Sequence, residues 1–225
     1  MKKYVIIVAG GSGSRMGAEI PKQFLLLRGI PILFHTIYCF DTFEEDLSII
    51  VTIPEEQFDL FFELKEKYQL NVNIQLVKGG KSRYHSVSNA IKTIKEKDVV
   101  VAIHDGVRPF IKHKTIKESY ATAIKHGTAI TSVSLKDSIR KKKGSESISV
   151  SRDDYLLVQT PQTFVLDKVI KGYGMEKEGN FTDDASVAES LGEKICLING
   201  DYFNIKITTP EDLIIADSIA EQWTC

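Results

Sequence analysis

Tyr4-Val5-Ile6-Ile7-Val8-Ala9 runs directly into Gly10-Gly11-Ser12-Gly13-Ser14-Arg15-Met16-Gly17, and Pro21-Lys22-Gln23-Phe24 follows. The first six residues are continuously apolar and rich in β-branched side chains, the pattern of a strand buried on both faces. A buried first strand that breaks into glycines at its C-terminal end is the usual place for a phosphate site in an open α/β sheet. Glycine lets the backbone approach an anion and turn N–H groups toward it. Arg15 and Lys22 add two cations to the same loop. The spacing is neither common glycine fingerprint. A dinucleotide loop needs G-x-G-x-x-G, and here Met16 stands where the third glycine belongs. No G-x-x-x-x-G-K-[ST] occurs either. The loop therefore suggests a nucleotide held by side-chain cations, and disfavours an NAD-dependent dehydrogenase. The plainer alternative is a glycine-rich surface turn with two solvated basic residues.

The totals set the bounds. A chain of 225 residues fits one large α/β domain, and 43% hydrophobic with 26% charged residues is ordinary for a globular protein. A net charge of −1 gives no general surface for nucleic acid or membrane, so any anion site must be local. No apolar run is long enough to cross a bilayer. The apolar run after Met1-Lys2-Lys3 is too short for a secretory segment. Cys39, Cys196 and Cys225 are odd in number and widely spaced, without zinc spacing. They read as reduced thiols of a cytoplasmic protein.

Outward from the first strand, helical and strand patterns alternate. Residues 31–42 have helical spacing behind Pro31, and 47–53 is a buried strand. Residues 54–68 are an amphipathic helix, and 72–77 is a third strand. A helix covers 86–95, and Val99 to Ile103 is a fourth buried strand. Lys114 to His126 is a helix stopped by Gly127, followed by a strand over 129–135. Such alternation predicts a mostly parallel sheet with helices on both faces. Three strand ends carry polar loops: the glycine loop, Gly79-Gly80-Lys81-Ser82-Arg83-Tyr84-His85-Ser86, and His104-Asp105-Gly106-Val107-Arg108-Pro109. All three belong on one edge of the sheet. Residues 136–152 break the rhythm, with Arg140 to Lys143 beside Gly144 reading as an exposed hairpin tip. Thr182-Asp183-Asp184-Ala185-Ser186 reads as a helix start with its hydroxyl and carboxylates at the cap and first turn, and simple capping is enough to account for them. Lys194 to Ile198 and Tyr202 to Ile207 read as late strands, and Thr209-Pro210-Glu211-Asp212 opens a last helix.

Nucleotidyl transfer needs charge neutralisation and in-line positioning more than covalent chemistry. Arg15, Lys22 and Lys206 suit a triphosphate clamp, and Asp105 suits Mg²⁺, which takes one or two carboxylates and fills its shell with phosphate and water. No nucleophile elbow or Ser-His-Asp pattern is present, so the substrate would bring its own nucleophile, most simply a phosphate oxygen.

Taken together and in order, AGGSGSRMG…PKQF, GGKSRYHSV, HDGVRPF, QTPQTF, TDDAS and NIKITTPEDL resemble the 2-C-methyl-D-erythritol 4-phosphate cytidylyltransferase family across nearly the whole chain. The resemblance implies a Rossmann-like nucleotidyltransferase fold, a single domain over 1–225, and a dimerisation β-arm at about 136–157. It implies CTP and a sugar-alcohol phosphate as substrates, pyrophosphate as product, Mg²⁺ as cofactor and a homodimer. Arg15 and Lys22 would bind the triphosphate and stabilise the pentacoordinate α-phosphorus, with Lys206 on its other side. Gly10, Gly11 and Gly13 would give the loop its close approach. Arg83 and Ser86 would hold the cytidine half and Gly80 the adjoining turn. Asp105 would serve metal and substrate. Arg108, Ser138 and Arg152 would recognise methylerythritol phosphate, Ser138 and Arg152 from the partner's arm. Thr160 would lie near the base or the arm junction.

Bland readings accompany these. Arg108 also reads as a structural ion-pair partner of Asp105, and Lys206 as an edge-strand lysine that blocks aggregation. His35, His85 and His104 show no metal spacing and read as structural. The chain departs from the family pattern at Gly106-Val107, where alanine or serine is frequent, and at Ser138, where threonine is common. Serine keeps the hydroxyl but lacks the methyl that stiffens the rotamer. Two other functions compete: ribitol-5-phosphate cytidylyltransferase, which shares the fold, CTP and most loops and is disfavoured only by the family pattern of TDDAS and the short arm, and a non-catalytic nucleotide-binding regulator, which would not need cations on both sides of one phosphorus.

Overall fold

The computed structural model describes residues 1–11, 20–175 and 181–224. Arg15 and Gly13 lie outside the described residues. The strands are β1 (Lys2–Val8), β2 (Leu26–Leu27), β3 (Ile30–Pro31), β4 (Ser48–Ile53), β5 (Ile74–Lys78), β6 (Val99–Asp105), β7 (Thr128–Ser134), β8 (Ile139–Lys143), β9 (Glu146–Val150), β10 (Leu156–Val165) and β11 (Leu197–Asn199). The helices are α1 (Ile32–Asp41), α2 (Phe58–Lys67), α3 (Arg83–Ile91), α4 (His113–His126), α5 (Leu166–Val169), α6 (Asp184–Ser190) and α7 (Pro210–Ala220). Seven strands form one sheet in the order β11-β7-β10-β6-β1-β4-β5.

The sheet is mostly parallel, as the alternation predicts, with one exception. β10 runs antiparallel to both neighbours, β6 and β7, and its register shifts between Val158 and Gln162. The period of two explains the layers. Val5 and Ile7 of β1 point to one core, with Phe34 and Phe40 of α1, Phe61 of α2 and Tyr120 of α4. Tyr4 and Ile6 point to the other, with Val87 and Ala90 of α3, Val169 of α5 and Val187 of α6. Each buried Val, Leu or Ile side chain contributes about 1.5–3 kcal/mol, so the two-sided strands carry most of the apolar burial. A third cluster packs Ala216 of α7 on Leu27, Val107 and Ile207.

Local chemistry sets the element ends. α4 stops where Gly127 adopts φ +95° and its N–H donates to the Ala123 carbonyl. α7 opens with a capping box between Thr209 and Asp212, and Pro210 in its first turn. α3 begins three residues earlier than the sequence pattern suggests, because the Ser82 hydroxyl caps it by accepting the His85 N–H.

The hairpin flanked by short strands forms as expected, but Arg140 to Lys143 belong to strand β8, paired with β9, and the turn is confined to Gly144 and Ser145. Tyr202 to Ile207 is not a strand. Its apolar alternation finds no neighbouring strand; the Asn204 N–H donates to Asp201, the Ile205 N–H to Phe203, and the Ile207 N–H to Val107. Cys196 is a free thiol, whereas the buried Cys39 is disulfide-bonded, against the expectation of reduced cysteines. Among the described residues no helix is long and apolar enough to cross a membrane.

Candidate active site

The three polar loops meet at the C-terminal ends of β1, β5 and β6. After β1, the Ala9 N–H donates to Thr52 and the chain turns at Gly10 and Gly11. A short 3-10 turn over Lys22–Phe24 then buries Gln23 and Phe24, and Gln23 Nε2 donates to Gln57 Oε1 at 2.7 Å. With its neighbours anchored, Lys22 lies across Gly11: a Cβ there would sit 3.4 Å from Lys22 Cε. After β5, the Gly80 N–H donates to Ser86 Oγ at 3.0 Å, and the Ser86 hydroxyl donates to the Ser82 carbonyl. A side chain at Gly80 would collide with the His85 backbone, so this turn requires glycine.

Asp105 ends β6 and is the electrostatic centre. Oδ1 accepts from Arg83 Nε at 3.4 Å; Oδ2 faces Arg108 Nε at 3.2 Å and Lys206 Nζ at 3.1 Å. The Asp105 N–H donates to Thr160 Oγ1 at 3.0 Å. Burial alone would push its carboxyl up, but the charges of Arg83, Lys206 and Arg108 outweigh it and hold Asp105 well below the usual carboxylate range. The adjacent His104 is buried and donates to the Arg108 carbonyl; burial lowers its pKa to about 4. It is a neutral, structural histidine.

Lys206 reaches this point because its irregular segment is tied down. Arg108 Nη1 donates to the Asn204 carbonyl at 2.7 Å, and buried Asn204 Nδ2 donates to the Thr160 carbonyl at 2.8 Å. Lys206 is on no edge strand, so the aggregation-blocking reading does not apply. The ion pair between Arg108 and Asp105 does form.

Two cavities share this wall. One, of about 460 Å³, is lined by Gly10, Gly11, Lys22, Gly80, Ser86 and Asp105 among others. The second, of about 320 Å³, is lined by Arg108, Thr160, Gln159, Gln162 and Asp183. Arg83, Asp105 and Lys206 belong to both. Ser138 and Arg152 line neither; Arg152 Nη1 donates to the Lys136 carbonyl on the exposed arm. A larger cavity of about 710 Å³ lies at the N-terminal ends of β1 and β4, beside Asp41, Glu44 and Asp46. It is far from all three loops, and open α/β sheets bind ligands at the opposite edge.

Asp105 does not fit the expected role of metal ligand. Three cations already occupy its oxygens, and a divalent ion would have to displace them. Among the described residues no three His, Cys, Asp or Glu side chains gather to hold a metal.

The carboxylates of 182–186 fall where the sequence puts them, Asp183 at the cap and Asp184 in the first turn, but Asp184 also binds Arg83, which the capping pattern does not predict. The doubled acid was the available signal, since one N-cap position takes one side chain. Asn204 gave no signal, because its role depends on a fold-specific meeting with Thr160.

A family model described as 2-C-methyl-D-erythritol 4-phosphate cytidylyltransferase matches residues 3–222. The chain is 43% identical over 223 residues to the protein of that name from Azobacteroides pseudotrichonymphae, covering 98% of this chain and 99% of that one. It is 42% identical over 219 residues to the one from Bacteroides thetaiotaomicron, covering 97% and 100%. The crystal structure of 4-diphosphocytidyl-2C-methyl-D-erythritol synthase from Anaerococcus prevotii is similar with a TM-score of 0.84 at 29% identity, over 98% of this chain and 96% of that one.

Proposed function

We propose how the site works from one premise: the chain belongs to the 2-C-methyl-D-erythritol 4-phosphate cytidylyltransferase family. It transfers the cytidylyl group of CTP to 2-C-methyl-D-erythritol 4-phosphate in isoprenoid precursor synthesis, giving 4-diphosphocytidyl-2-C-methyl-D-erythritol and pyrophosphate. CTP takes the cavity of about 460 Å³, its cytidine half toward Gly80, Arg83 and Ser86 and its phosphates toward Gly10, Gly11 and Lys22. The sugar phosphate takes the smaller cavity, near Arg108 and Thr160. Its phosphate oxygen attacks the α-phosphorus in line, and pyrophosphate leaves. Lys22 and Lys206 carry the charge that builds on the α-phosphate oxygens, from opposite sides. Asp105 holds Lys206 and Arg108 in place before substrate arrives. A Mg²⁺ ion would find its ligands on the triphosphate and water rather than on Asp105.

The observation that carries this reading is the shared wall: Lys206 faces the cavity of Gly10, Gly11 and Lys22 and also the cavity of Arg108. The test is pyrophosphate release from CTP with methylerythritol phosphate and with ribitol phosphate in parallel. Turnover with the first and little with the second is expected; the reverse would move the chain to the ribitol reading.

The reading includes a single cytidylyltransferase domain over 1–225, a cytoplasmic location and a homodimer through the arm at about 136–157. Leu156, Leu157 and Val158 are each more than 40% exposed. Consecutive strand residues point to opposite faces, so both faces of β10 are bare there and call for cover. The β8–β9 hairpin is a separate two-stranded sheet, marginal without a partner. A partner's arm laid on this strand would bring its Ser138 and Arg152 to the smaller cavity.

A further inference from the structure

The two acids at the start of α6 divide their work. Asp183 Oδ1 accepts the Ser186 N–H at 3.0 Å, and Oδ2 accepts Gln162 Nε2 at 3.2 Å. Asp184 stands in the first turn of α6, with a side chain only 1% exposed. Its Oδ1 accepts Arg83 Nη1 at 2.6 Å and the Tyr173 hydroxyl at 2.5 Å. Arg83 then reaches Asp105 Oδ1 through Nε. The planar guanidinium is thus pinned at two of its three nitrogens, between a carboxylate that lines neither of the two adjoining site cavities and one that lines both.

We propose that Asp184, assisted by Tyr173, is a positioning residue that fixes the guanidinium plane of Arg83 and so sets the wall against which the nucleotide binds. This rests on the reading that Arg83 faces the cytidine half of CTP. A salt bridge built only for stability would be better satisfied. Asp184 Oδ2 and Arg83 Nη2 are both buried without a hydrogen-bond partner among the described residues. Buried orphans of this kind are costly, and apolar side chains of the same volume would serve stability as well. What apolar side chains cannot do is hold a charged fork in one plane. Burial works against the Arg83 charge, but Asp184 and then Asp105 outweigh it and keep the guanidinium ionised. The Tyr173 phenol is raised well above its ordinary range by burial and then by Asp184, so it remains a hydrogen donor.

The test is a double-mutant cycle on the full-length protein, with KM for CTP, kcat and urea unfolding measured for each variant. Asp184→Asn keeps the shape and removes the charge. It is expected to raise KM for CTP about tenfold, within the about 2- to 150-fold span of coupled neighbours, with kcat changed less than threefold. In an Arg83→Ala background Asp184→Asn should change KM less than twofold. Tyr173→Phe should show the same non-additivity at two- to threefold, and serves if Asp184→Asn does not fold. Arg83→Ala with an unchanged KM for CTP would overturn the reading of Arg83 and this proposal with it. A raised KM in Arg83→Ala but none in Asp184→Asn, or effects that multiply independently, would overturn the proposal alone.

Discussion

Lys206→Ala separates catalysis from stability in this site. The ammonium lies 3.1 Å from Asp105 Oδ2, is 39% exposed, and borders both cavities. Near a protein surface, two unit charges at about 4 Å interact by about 4 kcal/mol at an effective dielectric of about 20. A second route gives the same size: removing one preorganised contact to transition-state charge costs about 2.7–4 kcal/mol, or about 10²–10³ in kcat. The effect on the free protein is much smaller. Asp105 keeps Arg83 and Arg108, and a partly exposed ion pair contributes at most about 1 kcal/mol. Lys206→Ala should therefore lower kcat by about 10²–10³ while its urea midpoint shifts by the equivalent of less than about 1 kcal/mol. Pyrophosphate release at saturating CTP and sugar phosphate, with urea unfolding of the same preparation, reads both. A kcat within about tenfold of the parent would remove Lys206 from the transition state. A large loss of stability would show that its partnership with Asp105 is structural first.

Other outcomes follow from the same geometry. Arg152→Ala should raise KM for the sugar phosphate more than KM for CTP; the reverse would contradict assignment of the arm to the sugar phosphate side. Leu157→Asp, on the bare stretch of β10, should convert a dimer to monomer in light scattering; an unchanged mass would place any interface elsewhere. His35 is neutral in the fold, because burial lowers its pKa while its ring N–H donates to the Leu27 carbonyl at 2.8 Å. The folded chain therefore binds fewer protons there than the unfolded chain. The His35 contribution is complete above a pH of about 6.5 and is lost as pH falls toward the lowered value. Urea unfolding between pH 7 and 5 should show a flatter pH dependence for His35→Gln than for the parent; equal slopes would rule His35 out as the group responsible.

The fold was legible where one physical signal dominated. Apolar runs at 4–9, 47–53 and 99–103 had a single reading, as strands buried on both faces, and Gly127 marked a helix end through its backbone freedom. Antiparallel β10 was not legible, since strand direction is set by what the chain pairs with rather than by its own pattern. Residues 202–207 alternated like a strand, yet Asn204 buries its amide against Thr160 and the segment spends its backbone groups on local turns. In the site, polar loops after buried strands pointed to Lys22 and Asp105, whereas Lys206 came from the family motif NIKITTPEDL rather than from its local pattern. Loop chemistry could not show that three cations, Arg83, Arg108 and Lys206, converge on Asp105. Nor could it separate Asp184 from Asp183, because a capping motif explained both.

The central claim is that Lys22 and Lys206, about 180 residues apart in the chain, flank one reacting phosphorus. A crystal structure with CTP bound tests it directly. The account predicts both ammonium groups within hydrogen-bond reach of the α-phosphate, on opposite sides, with the base toward Gly80 and Ser86. An α-phosphate contacted by one of them alone, or seated outside the Gly10–Gly11 turn, would contradict it.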